Sequence, residues 1–403
     1  MESITFEMIQ QAQQRLKSVV RHTDVIVSDI LSGPEVGQVY IKTENLQKTG
    51  SFKVRGAYNR IAMMAPEQRA LGVIAASAGN HAQGVALAAR TFGIPATIVM
   101  PAGAPLAKVA ATRTLGAEVV LFGESYDDAC GHAYALQQRT GACFIHPFDD
   151  PGVIAGQGTI ALEILEQLPE TDVIIAPVGG GGLLSGIALA AKTLKPEIEI
   201  IGVEPAGAAS MLASTRARHP VTLAEVNTMA DGIAVKTPGT LTYELCSRYC
   251  DKMITVEEDE IASTILQLLE KSKIVSEGAG ASSVAAILAG KIRRPGKNIV
   301  AVLSGGNIDV TMLSRIIEKG LIKDGRKIRI RTTVPDKPGQ LKRLMTILAD
   351  MGANVFSVSH DRFRDTYNIG ITWLMLELET HDREHGYRIL ARLAEEGYKV
   401  DLE

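Results

Sequence analysis

The sequence lacks the marks of a secreted or membrane-spanning chain. Only four of its 403 residues are cysteine, and no two of them form a Cys-x-x-Cys pair, so a disulfide framework is not expected. No uninterrupted apolar stretch is long enough to cross a bilayer. The N-terminal segment MESITFEMIQQAQQRL includes Glu2 and Glu7 and no long apolar core, which is not the pattern of a signal peptide. We therefore expect a cytoplasmic protein with reduced thiols and no membrane partner.

Runs of like charge are missing as well. The formal net charge is −3 and charged residues make up 22 % of the chain, with neither a basic arm nor an acidic tail. Nucleic-acid binding requires concentrated lysine and arginine to displace counterions, so this composition argues against a nucleic-acid partner. Apolar residues make up 46 % of the chain, enough to bury a large core, and the length suits two or three domains.

Short apolar runs alternate with helical patterns from about residue 37 to residue 315. Runs such as 72–77, 96–101, 172–178 and 298–304 are nearly all apolar, as strands covered on both faces should be. The order strand, helix, strand predicts parallel strands with helices on both sides. The number of such units exceeds one small doubly wound sheet, so we expect two α/β lobes. Ligands of such sheets bind beyond the carboxyl ends of the strands.

The pattern changes near residue 320. Segment 321–327 is polar and contains glycine, which predicts a linker. The remaining residues, 328–403, follow the order β-α-β-β-α-β of a ferredoxin-like unit. The sequence thus predicts a first domain over 1–320, whose smaller lobe covers roughly 48–148, followed by the linker and a small C-terminal domain.

The first chemical motif contains a lysine at the start of a predicted helix. In the segment ENLQKTGSFKVRGA, a strand leads into a turn, and Ser51 is the expected N-cap, which places Lys53 in the first helical turn. The positive end of the helix dipole lowers the pKa of a lysine there. A neutral lysine amine can form a Schiff base with a carbonyl cofactor. Taken alone, a solvated lysine is the commoner explanation.

The second motif, Ser77-Ala78-Gly79-Asn80-His81, directly follows a predicted strand and opens a helix. Small residues let the backbone approach a ligand, and the free amides of a helix start can hold a carboxylate. Asn80 offers both a donor and an acceptor. The alternative is an ordinary turn with a capping asparagine and a hydrogen-bonded His81.

The third motif consists of four consecutive glycines, Gly179, Gly180, Gly181 and Gly182, followed by Leu183, again between a strand and a helix. Such a run allows a cup of N–H groups around a phosphate. It does not satisfy G-x-G-x-x-G, and no Lys-Ser/Thr follows it, so a dinucleotide fingerprint and a Walker loop are both excluded. A nicotinamide dehydrogenase is therefore disfavoured, and a phosphate outside a dinucleotide is the better ligand. A bend needed only for packing is the alternative.

The fourth motif, Ser304-Gly305-Gly306-Asn307, follows the last long apolar strand. A serine hydroxyl there could hydrogen-bond a ring nitrogen without protonating it, although a plain turn would look the same.

In order and content the four motifs resemble those of the fold-type II pyridoxal-phosphate enzymes, specifically the threonine and serine dehydratases. The resemblance covers nearly all of residues 1–320 and implies a two-lobed α/β fold of the tryptophan synthase β kind.

The resemblance also implies a role for each motif residue. Lys53 would carry pyridoxal 5'-phosphate through a Schiff base and act as the catalytic base, and Phe52 would pack on the cofactor ring. Asn80 would bond the phenolic oxygen, the N–H groups of Gly179, Gly180, Gly181, Gly182 and Leu183 would hold the phosphate, and Ser304 would face the pyridine nitrogen. Substrate contacts would come from Ser77, Ala78, Gly79, His81 and Phe148. Glu277 would lie near the cofactor ring.

The implied activity is the dehydration and deamination of L-threonine to 2-ketobutyrate and ammonia, with serine as a poorer substrate. The alternative within the subgroup is a serine racemase or serine dehydratase. A racemase needs a second base, which the resemblance places at a serine, but here that position is Ala78. Relatives that hold a divalent cation use acids at the positions of Glu204 and Ser210, so no metal is expected. A non-catalytic amino-acid sensor is the alternative of another class, and the intact motifs argue against it.

The C-terminal unit resembles an ACT domain, a module that binds free amino acids. The turns 336–341 and 351–355 carry that resemblance. It implies an amino-acid effector and a homo-oligomer, either a dimer or a tetramer. The alternative is a dimerisation module that has lost ligand binding. Whether the enzyme serves isoleucine biosynthesis or threonine degradation stays open at this point.

Overall fold

The computed structural model describes residues 4–362 and 370–402, and the chain divides into two compact units, Met1–Asp309 and Val310–Glu403. The first unit has two lobes, each built on its own sheet with its own apolar core. Both sheets are parallel except for one antiparallel edge strand, which confirms the predicted α/β architecture.

The larger lobe has a six-stranded sheet in the order β1-β2-β10-β7-β8-β9. Its central strands are apolar and fully buried because helices cover both faces. The strands are β1 (Val25–Val27), β2 (Gln38–Lys42), β7 (Val173–Pro177), β8 (Glu199–Pro205), β9 (Lys252–Val256) and β10 (Asn298–Val302). The helices are α1 (Phe6–Leu16), α7 (Pro151–Gln167), α8 (Gly182–Leu194), α9 (Ser210–Ala217), α10 (Thr240–Tyr249), α11 (Glu258–Gln267) and α12 (Gly278–Leu288).

The smaller lobe has a four-stranded parallel sheet in the order β5-β4-β3-β6. Its strands are β3 (Val73–Ala76), β4 (Ala96–Met100), β5 (Glu118–Leu121) and β6 (Cys143–Phe144). Its helices are α2 (Lys53–Ala62), α3 (Pro66–Ala70), α4 (Asn80–Phe92), α5 (Leu106–Thr114) and α6 (Tyr126–Thr140).

Helix α7 lies against helices of both lobes at glycines. A Cβ added to Gly156 would lie 2.5 Å from the carbonyl oxygen of Arg55 on α2, and one added to Gly186 on α8 would lie 2.4 Å from that of Ile154. Only glycine therefore allows these backbones to approach so closely. Most of α7 is buried as a result.

The second unit contains the predicted β-α-β-β-α-β order, and its antiparallel sheet has the strand order β12-β13-β11-β14. Its core lies between the sheet and the helices α14 and α15. The elements are α13 (Val310–Lys323), β11 (Lys327–Pro335), α14 (Gln340–Asp350), β12 (Asn354–Asp361), β13 (Ile371–Glu379), α15 (Arg383–Glu395) and β14 (Val400–Leu402).

The boundary between the units differs from the predicted linker at 321–327. Helix α13 continues to Lys323 and belongs to the second unit, and β11 already begins at Lys327. The sequence contains glycines at 320 and 325, but only Gly325 has a positive φ, of 70°, and ends the helix. Gly320 stays helical because the apolar spacing of α13 continues across it.

Within the described residues, no helix has the length and apolarity that a membrane span requires.

Candidate active site

A cavity of about 660 Å³ lies between the two lobes of the first unit, at the carboxyl ends of the strands. All four motifs contribute to its wall, although they lie far apart in the sequence. The cavity is lined by every predicted site residue, namely Phe52, Lys53, Ser77, Ala78, Gly79, Asn80, His81, Phe148, Gly179, Gly180, Gly181, Gly182, Leu183 and Ser304.

Lys53 begins α2 and extends its amine to the carbonyl oxygen of Pro147, 2.9 Å away. Burial lowers the pKa of Lys53 to about 8, although the Glu277 carboxylate acts in the opposite direction. Roughly one amine in ten is therefore neutral at pH 7, the form that adds to a carbonyl. The amine lies 5.4 Å from the centroid of the Phe52 ring.

The expected N-cap of α2 is wrong. Phe52 occupies that position in a helical conformation without a side-chain cap, while Ser51 is extended and pairs with Gly305 through an isolated β-bridge. The N–H of Phe52 also donates to the carbonyl oxygen of Ser304, at 3.1 Å. The helix start is thus held by a backbone hydrogen bond to Ser304 and not by a side-chain cap. The same hydrogen bond joins the first motif to the fourth.

The glycine run forms the turn between β7 and α8. Among the described residues, no acceptor faces the backbone N–H groups from Gly179 to Leu184, so these donors are free for a ligand. Added Cβ atoms would lie 2.8 Å from Ile233 at Gly179, 2.3 Å from the Phe148 ring at Gly180 and 2.6 Å from Met211 at Gly181. Gly181 also has a φ of +94°. This cradle has the unpaired donors that a phosphate needs.

Asn80 has a fixed orientation at the start of α4. Its Nδ2 donates to Oε1 of Glu277 at 2.6 Å, and its Oδ1 accepts from Nδ2 of Asn307 at 2.7 Å. The second N–H of the Asn80 amide remains for a ligand. Burial and the nearby Asp231 raise the pKa of Glu277 to about 7, whereas the hydrogen bond from Asn80 lowers it.

His81 is buried and neutral. Its Nε2 lies 2.8 Å from the carbonyl oxygen of Ile145 and must donate to it, and burial lowers the pKa of the ring to about 3. Its Nδ1 has no partner in the described part of the chain. His81 is thus not a cationic partner for a carboxylate. In the same turn, Gly79 donates its N–H to Oγ of Ser77, and a Cβ at Gly79 would meet only open space.

Phe148 lies against the glycine cradle, since its ring occupies the space that a Cβ at Gly180 would take. Its side chain also forms an edge-to-face pair with His146, with ring centroids 4.7 Å apart. Ser304 is 2 % exposed at the end of β10, and it presents the cavity with a hydroxyl, not a carboxylate. Both residues line the cavity, and their roles toward a cofactor and a substrate stay predictions.

Other lining and supporting residues were missed by the sequence analysis. Lys108 of α5 and Asp231 of the larger lobe form an ion pair of 2.5 Å at the cavity. Asn307 belongs to the fourth motif, but its role in orienting Asn80 was not expected. Lys108 has the pattern of an ordinary surface lysine, and Asp231 lies in an irregular segment, so neither gave a signal. Pro147 contributes only its carbonyl oxygen, which no side-chain pattern can indicate.

Glu204 has a structural partner. Its carboxylate accepts from the N–H groups of Met211 and Leu212, both at 2.8 Å, and so caps α9. Burial raises the pKa of Glu204 to about 7 despite these bonds. Across residues 4–362 and 370–402, no group of three or more His, Cys, Asp or Glu side chains could hold a metal ion.

The cavity fits pyridoxal phosphate on the evidence of its own residues. A lysine with a lowered pKa lines it, a cradle of unpaired N–H groups lines it as well, and the glycines of that cradle cannot carry side chains. The amine suits the aldehyde of the cofactor and the cradle suits its phosphate.

Comparisons with known proteins agree with this fit. A family model described as pyridoxal-phosphate dependent enzyme matches residues 16–305. An L-threonine ammonia-lyase of Thermotoga maritima is 55 % identical over 399 residues, which are 99 % of this chain and 99 % of that protein. Maize serine racemase has a TM-score of 0.75 at 37 % identity, covering 80 % of this chain and 99 % of the racemase. Threonine deaminase isoform 2 of Solanum lycopersicum has a TM-score of 0.74 at 40 % identity, covering 79 % of this chain and 90 % of the deaminase. The chain belongs to the family of pyridoxal-phosphate dependent enzymes.

Proposed function

We propose that the protein is an L-threonine ammonia-lyase that converts L-threonine to 2-ketobutyrate and ammonia. The observation that carries the proposal is the Lys53 amine on the wall of the same cavity as the free N–H groups of Gly179–Leu183. Similarity over both units to a protein named L-threonine ammonia-lyase supports the choice of substrate.

Each residue has a part in the proposed reaction. Pyridoxal phosphate, when bound, supplies a ring that accepts electrons as a bond to the substrate α-carbon breaks. The neutral amine of Lys53 takes the α-proton as general base, and the β-hydroxyl leaves with a proton as water. Water then hydrolyses the released enamine to 2-ketobutyrate and ammonia. When the cofactor is bound, the glycine cradle would hold its phosphate, Phe52 would pack against its ring and Asn80 would bond its phenolic oxygen. Ser304 would hydrogen-bond the ring nitrogen without keeping it protonated, which would favour elimination over transamination.

The turn Ser77–His81 is proposed to bind the substrate carboxylate. Because His81 is neutral, the carboxylate would depend on backbone N–H groups and the Ser77 hydroxyl. Phe148 would contact the methyl group of threonine. One methyl group discriminates by only ~1–3 kcal/mol, so serine should react as a poorer substrate.

The lysine gives the most direct test. Purified protein should be yellow, borohydride should fix the cofactor to Lys53, and threonine should yield 2-ketobutyrate. Lys53→Ala should fold and lose turnover. Lys48→Ala, an exposed lysine of the same segment, is the matched control and should keep it. A Lys53→Ala protein that deaminates threonine at the wild-type rate would refute the proposal.

A serine racemase is the second candidate, because a structural neighbour has that name. Racemisation requires a proton donor on the face of the α-carbon opposite Lys53, and Ala78 offers none. We therefore expect no interconversion of L- and D-serine at a rate comparable to threonine deamination. Ala78→Ser should gain some racemisation. Fast racemisation by the wild-type protein would reverse the order of the two candidates.

The second unit is proposed to regulate the enzyme as an ACT domain that binds an amino acid, with isoleucine or valine as candidates. A cavity of about 820 Å³ lies between α13 and the sheet of this unit. Leu313, Ile317 and Phe356 provide apolar walls that would suit a branched side chain. Lys327 and Glu377 also line the cavity and pair with each other at 3.0 Å, so a zwitterionic head group would have to exchange this ion pair for its own contacts.

The unit is also proposed to pair with its copy in a homo-oligomer, a dimer or a tetramer. Strand β12 forms one edge of its sheet, and Phe356 on that strand is 62 % exposed. Uncovered edge strands readily pair with another chain.

The four cysteines are unpaired, which supports a cytoplasmic location.

Regulation can be tested by comparing the full chain with residues 1–309 across a panel of amino acids. A coupling of ~1–3 kcal/mol would change threonine affinity about 5- to 150-fold in the full chain only. Identical responses of the two proteins would show that the second unit is not the regulatory site. Assembly would then be its remaining role.

A further inference from the structure

Behind the cavity lies a group of four buried charged side chains, Lys42, Glu44, Arg55 and Glu163, which we call the Arg55 cluster. None of the four is more than 6 % exposed, and Arg55 is fully buried. They join three elements, since Lys42 and Glu44 lie at the end of β2, Arg55 lies on α2 and Glu163 lies on α7. The two positive and two negative charges leave the cluster neutral.

Arg55 binds both carboxylates through two of its nitrogens each. Its Nε and Nη2 donate to Glu44 at 2.9 and 2.8 Å, and its Nη1 and Nη2 donate to Glu163 at 2.6 and 2.9 Å. Lys42 donates to Glu163 at 2.6 Å. Two carboxylates, each bound through two nitrogens, fix the plane and the position of a guanidinium.

The backbone of α2 is held closely as well. A Cβ at Gly56 would lie 2.5 Å from the side chain of Gln157, and one at Gly84 on α4 would lie 3.1 Å from the backbone of Lys53. With Gly156 of α7 pressed against the carbonyl of Arg55, helices on two sides leave α2 little freedom to shift. Hydrogen bonds from the Gly56 N–H to Gln157 and from Asn59 to the carbonyl oxygen of Gly152 also join α2 to α7, and the Arg55 cluster adds directional bonds to β2 and α7.

Lys53 lies two residues before Arg55 on the same helix. Its amine has one hydrogen bond of its own, to the carbonyl oxygen of Pro147, so its position depends on the placement of the helix. We propose that Arg55, through the Arg55 cluster, is a positioning residue that sets where α2 presents the Lys53 amine to the cofactor and substrate. This inference rests on the proposed function, in which Lys53 carries the cofactor.

Stability alone does not account for the cluster. Buried ion pairs lose as much in desolvation as they gain in attraction, and replacing a complete set by uncharged residues of similar volume is often neutral or stabilising. Its directional bonds, in contrast, hold α2 in one place relative to β2 and α7. A misplacement of about 1 Å at a reacting group can reduce turnover ~100-fold.

The experiment replaces the whole cluster by uncharged residues of similar shape, in the variant Lys42→Met, Glu44→Gln, Arg55→Met and Glu163→Gln. Because the net charge of the cluster stays zero, the pH at which Lys53 reacts should not move. We expect a folded protein with a lower denaturation midpoint, because the carbonyl oxygen of Thr23 and the hydroxyl of Thr159 lose their donors. We also expect a kcat ~100-fold lower with a smaller change in KM, and a slower capture of pyridoxal phosphate by Lys53 in the apoprotein.

Two further variants separate the explanations. Arg55→Lys keeps the positive charge but loses the two-nitrogen contacts to both carboxylates, and it should show the same loss of kcat. Arg294→Lys is the matched control, because Arg294 also binds a carboxylate through two nitrogens, that of Glu199, but lies between α12 and β10 and on neither α2 nor α7. It should leave kcat unchanged.

Several outcomes would overturn the inference. The first is a folded cluster variant whose kcat lies within about threefold of the wild-type value. The second is a shift of the pH midpoint for the reaction of Lys53 that accounts for the whole loss of kcat. The third is failure of both the cluster variant and Arg55→Lys to fold. The last result would make the cluster a requirement for folding only. A wild-type protein that neither binds pyridoxal phosphate nor deaminates threonine would instead refute the proposed function.

Discussion

Replacing Glu277 by glutamine should lower the pH at which Lys53 begins to react with pyridoxal phosphate. Burial lowers the pKa of Lys53 to about 8, and the Glu277 carboxylate opposes that shift. With a pKa of about 8, roughly one amine in ten is neutral at pH 7, about 200-fold more than for an ordinary lysine. Removing the carboxylate charge lowers the pKa further. The neutral fraction at pH 7 can then rise at most about tenfold, and above pH 9 it cannot rise noticeably.

The assay follows the capture of pyridoxal phosphate by Lys53 in the apoprotein, by absorbance or by borohydride fixation, as a function of pH. Capture requires the neutral amine, so its rate rises through the pKa and the Glu277→Gln midpoint should lie below the wild-type midpoint. The pKa of Glu277 is itself raised to about 7, so its protonation should make the two proteins converge in acid. Glutamine can still accept the hydrogen bond from Asn80.

The control is Glu204→Gln, because burial likewise raises the pKa of Glu204 to about 7 and its carboxylate caps α9 instead. That variant should keep the wild-type midpoint. A Glu277→Gln midpoint equal to or above the wild-type value would refute the electrostatic argument.

Three further predictions concern other parts of the chain. Gly181→Ala places a Cβ 2.6 Å from Met211 at a φ of +94°, so unfolding titrations should show a loss of ~1–3 kcal/mol and cofactor titrations a weaker affinity. The partly exposed Lys108–Asp231 pair should give a coupling of ~0.2–1 kcal/mol in a double-mutant cycle of unfolding free energies, and high salt should abolish it; a coupling that survives salt would contradict this. Residues 1–309 should fold alone and stay in solution better than residues 1–320, which retain part of the apolar face of α13 without its sheet, and sedimentation of both fragments would reveal the opposite order.

The four motifs could be recognised in the sequence because each is a local signal. A strand followed by small residues and a helix predicts a ligand-binding turn at the carboxyl edge of a parallel sheet, wherever the other turns lie. Parallel strands bring these edges together, so the cavity follows from the order of elements. The Asn80–Glu277 contact, in contrast, joins residues 197 positions apart, and nothing in either neighbourhood predicts it.

The two errors have different physical origins. The predicted linker at 321–327 is too long, because helix α13 continues to Lys323 and strand β11 begins at Lys327. Ser51 has the residue type of an N-cap, but a bridge to Gly305 holds it extended, and Phe52 obtains its hydrogen bond from Ser304. There a distant segment overrides the local propensity. Such contacts become known only once the chain is folded.

Helix α7 determines one dimension of the cavity. It is in near backbone contact with α2, which carries Lys53, and with α8, whose first turn carries the glycine cradle. Contacts to one helix therefore place both the amine and the phosphate cradle, and that helix contributes Gln157 to the cavity wall. A larger residue at Gly156 or Gly186 would push α2 or α8 away from α7. The distance between the amine and the cradle would then change, even with every residue of the cavity wall unchanged.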